Sequence, residues 1–211
     1  MNAPTVALRD TAVLALHLQN EVLHAQGRIR VGLGEHDPRR DAVMSSARRL
    51  LAWARVHDLP IVFVRIAFRP GHVDVIQNCR VFREVVRLDA MVEGSWGAEF
   101  VDTLAPLPGS EREFVVTHQR ISAFHGTGLR DLLTALRIRH LVVAGVSTHS
   151  VVATSVAAAA DAGYEVTVIG DACASADPAM HEAALRSMQL VAEVRGMREL
   201  DADTAQGDIG G

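Results

Sequence analysis

Short apolar runs alternate with amphipathic stretches along most of this chain. Runs rich in Val, Ile and Leu fall at residues 12–18, 60–67, 113–117, 140–145, 165–169 and, less sharply, 190–194. Their lengths and lack of polar alternation suit strands buried on both faces. Between them lie helical patterns at residues 38–58, 127–136, 148–162 and 178–188. In the first, Val43, Ala47, Leu50, Leu51 and Ala54 share one face, and Asp37 followed by Pro38 reads as an N-cap with proline at the first helical position. Strands alternating with helices predict a three-layer α/β/α fold, a parallel six-stranded sheet with helices on both faces. Residues 68–112 interrupt the alternation. A connection that long predicts small elements of its own and a pocket wall or an oligomer contact.

Composition narrows the class. A chain of 211 residues, 49% apolar, buries one substantial core. A single domain over residues 1–200 is expected, followed by a polar, glycine-rich tail at 201–211 that predicts disorder. The net charge of -4 is spread along the chain, with no basic block, which argues against a nucleic-acid partner. The apolar runs fall short of the ~20 residues a membrane span needs, and residues 1–10 lack a charged start followed by an apolar signal core. A soluble, cytoplasmic protein is expected. Cys79 and Cys173 are too few for a disulfide framework and read as reduced, structural residues.

Open parallel sheets bind ligands outside the carboxyl ends of their strands. That rule brings His17, Arg65, Phe68, His118 and the segment from Ser147 to Ser150 to one edge. The helix beginning near Thr148 offers free backbone N–H groups that suit a carboxylate or a developing oxyanion.

Three stretches, AVLALHLQNEVL, EFVVTHQRISAFHGTGL and HLVVAGVSTHSVVATS, together with GSWGAEF and YEVTVIGDACASADPAMH, resemble the isochorismatase-like hydrolases, also called the cysteine hydrolase superfamily. The resemblance spans most of the chain. It implies hydrolysis of a small molecule without cofactor, at an amide, imide, carbamoyl or vinyl-ether bond, by a homo-oligomer such as a dimer or tetramer. Where the family keeps its aspartate, lysine and cysteine, the matched positions read His17, His118 and Ser150. VRIAFRPGH resembles a bacterial subgroup that lacks the cysteine and has glycine there. The Asp/His metal cluster of metal-dependent nicotinamidases has no counterpart in IAFRPGH. The match also implies a non-proline cis peptide at Val146–Ser147.

A histidine at position 17 titrates near ~6.5 and suits acid or base work at neutral pH. Ser150 is a poor nucleophile unless a base such as His17 takes its proton, and it fits a helix-capping role equally well. Zinc held by His17, His118 and His149 is a remote alternative, with no short His-x-x-x-His spacing behind it. Gln19 matches a position near the pocket floor or ties down the first loop. Arg65 and Arg120 suit a substrate carboxylate or acidic neighbours. Phe68 and Trp96 suit a pocket wall or a subunit contact. Ser122 and Phe124 suit the pocket or simple packing, while Val146, Ser147 and His149, at the turn before the helix, suit substrate contacts. Two functions follow: a hydrolase with a rebuilt His/His/Ser site, or a catalytically silent relative that binds a metabolite or serves an assembly.

Overall fold

The computed structural model describes residues 8–207, with side chains through Asp203. Six strands, β1 (Thr11–Leu16), β2 (Ile61–Ile66), β3 (Glu113–His118), β4 (His140–Val146), β5 (Glu165–Ala174) and β6 (Glu193–Arg195), form one sheet. Its order is β3-β2-β1-β4-β5-β6 and every pairing is parallel. The central strands β1 and β4 are buried along their whole length, as uninterrupted apolar runs require.

The helices are α1 (Asn20–Leu23), α2 (Arg40–Val56), α3 (Arg80–Arg87), α4 (Leu129–Ala135), α5 (Ala153–Asp161), α6 (Pro178–Met188) and α7 (Met197–Gly207). Right-handed crossovers put connections that run outward from β1 and from β4 on opposite faces. Accordingly α2 and α7 pack together against the sheet, and α5 packs with α6. The buried face of α2 carries Val43, Ala47, Leu50, Leu51, Trp53 and Ala54. Each large apolar side chain removed from water there contributes roughly 1.5–3 kcal/mol.

Four local expectations need correction. Helix α2 starts at Arg40, because the Asp37 carboxylate accepts from Arg39 N–H and its guanidinium at 2.9 Å and so closes the preceding turn. The last strand begins at Glu193, three residues later than the apolar pattern suggests, since Leu190 lies in a turn and is 89% exposed. The helix expected from residue 148 opens with a π-helical turn, Thr148–Val152, before α5. Residues 201–207 belong to α7, which buries Met197 and Leu200, and whose Asp201 and Asp203 pair with Arg49 and Arg195. The rest of the expected tail lies outside the described residues. Among the described residues, no helix is long and apolar enough to cross a membrane.

Candidate active site

In this strand order the crevice opens between β1 and β4, whose connections leave on opposite faces. His17 directly follows β1 and takes φ 50°, a left-handed backbone that side chains with a Cβ seldom adopt and that often marks functional sites. Its N–H donates to the Val64 carbonyl at 2.9 Å, which anchors the turn to β2. His118 is the last residue of β3 and is fully buried. The turn conformation brings the His17 ring to it, so that the two Nε2 atoms lie 2.5 Å apart with ring centroids at 4.8 Å.

The neighbours of His118 decide which nitrogen carries which proton. Its Nδ1 lies 3.2 Å from the Ser122 carbonyl oxygen, which only accepts, so Nδ1 holds a proton and donates it. In neutral His118 the Nε2 is then a lone pair, and the proton between the rings belongs to His17 Nε2. The lone pair of neutral His17 therefore sits on Nδ1, which has no hydrogen-bond partner among the described residues. Burial lowers the pKa of His118 to about 4, partly offset by the Ser122 carbonyl. Burial also lowers His17 well below the usual histidine range, and the neighbouring His118 adds to the effect. The pair is neutral at pH 7.

His17 lines a cavity of about 40 Å³, the room of a few water molecules. Its wall is largely apolar. Val22, Ile29 and Val31 come from the segment after β1, Ile66 from the end of β2, and Val81, Phe82 and Val85 from α3. The long connection at residues 68–112 thus supplies a pocket wall. Four polar residues face this space: His17, Arg120, Ser147 and Ser150. The Ser147 hydroxyl is buried without a hydrogen-bond partner among the described residues, and the peptide joining it to Val146 is cis. An unpaired buried hydroxyl costs about 1–3 kcal/mol, which a ligand acceptor would recover. The Arg120 guanidinium lies 4.8 Å over the Phe82 ring, donates to Asn78 Oδ1 at 3.2 Å, and pairs with no carboxylate among the described residues.

Ser150 is half-buried on the same cavity, but its Oγ makes no hydrogen bond to His17 among the described residues. Two of the expected oxyanion donors, the amides of His149 and Ser150, are turned inward. In the π turn the Ser147 carbonyl accepts from the N–H groups of Ser150 at 3.2 Å and Val152 at 3.3 Å, and His149 N–H reaches Ser175 Oγ at 3.4 Å. The wider turn aims these amides at protein acceptors. Val151, the next residue on the cavity, carries no reactive group.

Val146 also lines the cavity, whereas the remaining residues singled out from the sequence lie off it. Gln19 is fully buried and ties the first loop to β2, donating to the carbonyls of Ile66 at 2.9 Å and Ala98 at 2.6 Å while accepting from Ile66 N–H at 2.9 Å. Arg65 donates to Thr117 Oγ1 at 3.0 Å and lies 3.5 Å from Glu99. Phe68 packs edge-on against Phe82 from behind the wall, with centroids 6.2 Å apart. Trp96 is half exposed and meets His24 edge-on. Ser122 acts through its carbonyl on His118, and Phe124 leans on Tyr164. His149 Nδ1 is held at 2.7 Å by Ser175 Oγ, away from the histidine pair. Among the described residues no three His, Cys, Asp or Glu side chains are grouped to share a metal ion. Cys173 is buried, with its thiol pushed up to about 12 by desolvation, so it offers no thiolate.

Comparison with known proteins agrees with this architecture. A protein of Arabidopsis thaliana described as a "Probable inactive nicotinamidase" is 29% identical over 184 residues, covering 86% of this chain and 89% of its own. The maleamate amidohydrolase of Pseudomonas putida is 31% identical over 160 residues, covering 76% of this chain and 73% of its own. The crystal structure of an isochorismatase family protein from Desulfovibrio vulgaris superposes with a TM-score of 0.80 at 26% identity, over 93% of this chain and 99% of that one. The isochorismatase domain family matches residues 11–199, and the chain belongs to that family of isochorismatase-like hydrolases.

Proposed function

We propose that this protein hydrolyses a small amide, imide or carbamoyl compound by general-base catalysis, with water rather than a side chain as the nucleophile. The observation that carries the reading is the hydrogen bond between His17 and His118. It leaves His17 Nδ1 as the free lone pair on a residue that lines the cavity. Water held there loses a proton to Nδ1 as its oxygen attacks the carbonyl carbon. The imidazolium formed on His17 keeps its Nε2–H on the His118 lone pair, which spreads the new charge. The same Nδ1 proton then passes to the departing nitrogen, so that protons balance over the cycle. The unpartnered Ser147 hydroxyl supplies a donor for the carbonyl oxygen.

The lowered pKa of His17 keeps the ring in the neutral form that a base requires. Hydration of a vinyl ether begins with protonation by an acid, and a histidine held neutral at pH 7 is a poor proton source. Attack on a carbonyl begins with a base. Arg120, a cation at a largely apolar cavity with no carboxylate of its own among the described residues, supports a substrate with an anionic end. The likeness to a maleamate amidohydrolase agrees with an amide substrate. We further propose a homo-oligomer, with the exposed Val73 and Ile76 of the long connection as candidate contacts. Two unpaired cysteines suit a cytoplasmic setting.

A second reading, a catalytically silent binding protein, draws support from the uncoupled Ser150 and from the likeness to a probable inactive nicotinamidase. The test is product formation from a panel of small amides, imides, carbamoyl compounds and vinyl ethers, with Ser150→Ala and His17→Ala beside the parent. Turnover of a carbonyl substrate, retained within a few-fold by Ser150→Ala and lost in His17→Ala, supports the water mechanism. Loss in both variants returns Ser150 to the nucleophile role. Ligand-induced stabilisation without product supports the silent reading.

A further inference from the structure

The amino edge of the sheet, remote from the histidine pair, carries a second concavity of about 780 Å³. Arg9 and Asp10 lead into β1, Arg137 and Arg139 lead into β4, Tyr164 leads into β5, and Arg130 projects from α4. Four guanidiniums thus line one depression against a single carboxylate, on a chain whose net charge is -4. None of the four makes a side-chain hydrogen bond or ion pair among the described residues. Some arginines elsewhere are bridged, as Arg28 is to Glu21 at 2.9 Å and Arg55 to Glu113 at 2.8 Å. Arg137 adds a second oddity. It closes α4 with φ 58°, a left-handed position where glycine is the usual residue and a side chain costs about 1–2 kcal/mol. The fold holds a cation at that corner at some conformational expense.

Unpaired arginines gathered in a concavity suit an anion with several oxygen faces, because each planar fork can grip two phosphate oxygens at once. The volume falls in the ~300–1,000 Å³ range of small-ligand sites and exceeds what a bare phosphate fills. Leu136 and the half-buried Tyr164 ring offer an apolar patch beside the charges. We propose that this concavity binds a nucleoside polyphosphate, with Arg130, Arg137 and Arg139 on the phosphate chain and Tyr164 beside the nucleoside.

Isothermal titration at about 0.15 M salt tests it, with adenosine triphosphate, inorganic triphosphate and citrate as probes. The expected result is saturable one-to-one binding of both phosphate compounds, with adenosine triphosphate the tighter and citrate at least tenfold weaker. The Arg137→Gln/Arg139→Gln pair should weaken binding at least tenfold at an unchanged melting temperature. Asp10→Asn should tighten it a few-fold by removing the one carboxylate. No saturable binding at this salt, or equal affinity in the arginine double variant, overturns the site. Citrate binding as tightly as triphosphate overturns the phosphate class, and triphosphate matching adenosine triphosphate overturns the nucleoside part. None of these variants touches His17 or its cavity, so the outcome is independent of the hydrolase reading.

Discussion

At the carboxyl edge of the sheet two histidines share one proton beside an apolar cavity; at the amino edge four arginines stand in solvent with no carboxylate among the described residues bridged to them. The contrast is one of dielectric. Two guanidiniums ~8 Å apart in water repel by only about 0.5 kcal/mol, so exposed like charges persist. A single charge at the position of His118 faces a desolvation cost of several kcal/mol, and the ring stays neutral instead. Groups of the same sign therefore behave oppositely at the two ends of the same strands. The buried end tunes proton affinity, and the open end collects charge.

The sharpest way to break the comparison is at the buried end. His17→Ala should lower kcat/KM for the best carbonyl substrate by about 10²–10⁴ while far-UV circular dichroism is unchanged. A drop below about tenfold would falsify its role as the base. The same neutrality predicts acid sensitivity. Because the folded-state pKa of His118 lies at about 4 against 6.5 when unfolded, the unfolded chain takes up protons first as pH falls. This contribution is complete above about pH 6.5 and is lost on the way down to pH 4, amounting to about 3 kcal/mol. His17 acts in the same direction. Urea unfolding at several pH values should show the loss, and His118→Leu should remove its share of the slope. An unchanged slope in that variant would move the acid response to His140, His149 and His181, whose pKa values burial also lowers.

At the rim, Arg120→Gln should raise KM for substrates with an anionic end by about 10- to 100-fold with kcat little changed, and leave neutral substrates alone. Equal effects on both classes would place Arg120 in the wall as packing on Phe82. The smallest effect belongs to the open end. Arg139→Gln should change stability by no more than about 0.5 kcal/mol and leave turnover as it was. A larger loss in urea unfolding would mean that the arginine edge is structural.

The six strands and the four helices α2, α4, α5 and α6 were legible in the pattern of apolar runs, since a strand buried on both faces has to be written in Val, Ile and Leu, whereas α1, α3 and α7 were not. The convergence of His17, His118 and the turn at Ser147 was legible too, from the strand-end rule and the family resemblance together. The cis peptide at Val146–Ser147 falls where that resemblance implied it. Other assignments stayed open or failed for local reasons. Gln19 reads as either a pocket residue or a tie for the first loop, and only its three backbone partners, from residues 66 and 98, decide for the tie. Leu190 reads as a strand until the chain turns beneath it. The pocket wall on α3 had one available signal, the spacing of Val81, Phe82 and Val85 along a helical turn inside the long connection.

The sequence by itself determined the layer architecture, the buried strands and the residue types at the carboxyl edge, because these rest on periodicity and on order along the chain. The tertiary structure alone decided that His118 faces both His17 and the Ser122 carbonyl, which sets the tautomers and hence where a base can act. It alone decided that the amides of His149 and Ser150 are consumed by Ser175 and Ser147 rather than left for an oxyanion. It also brought Arg9 to Arg130, Arg137 and Arg139 across more than a hundred residues of chain, making a charged concavity from a sequence with no basic block. Proton positions and local fields depend on distances of a few ångströms, and such distances exist only once the chain has folded.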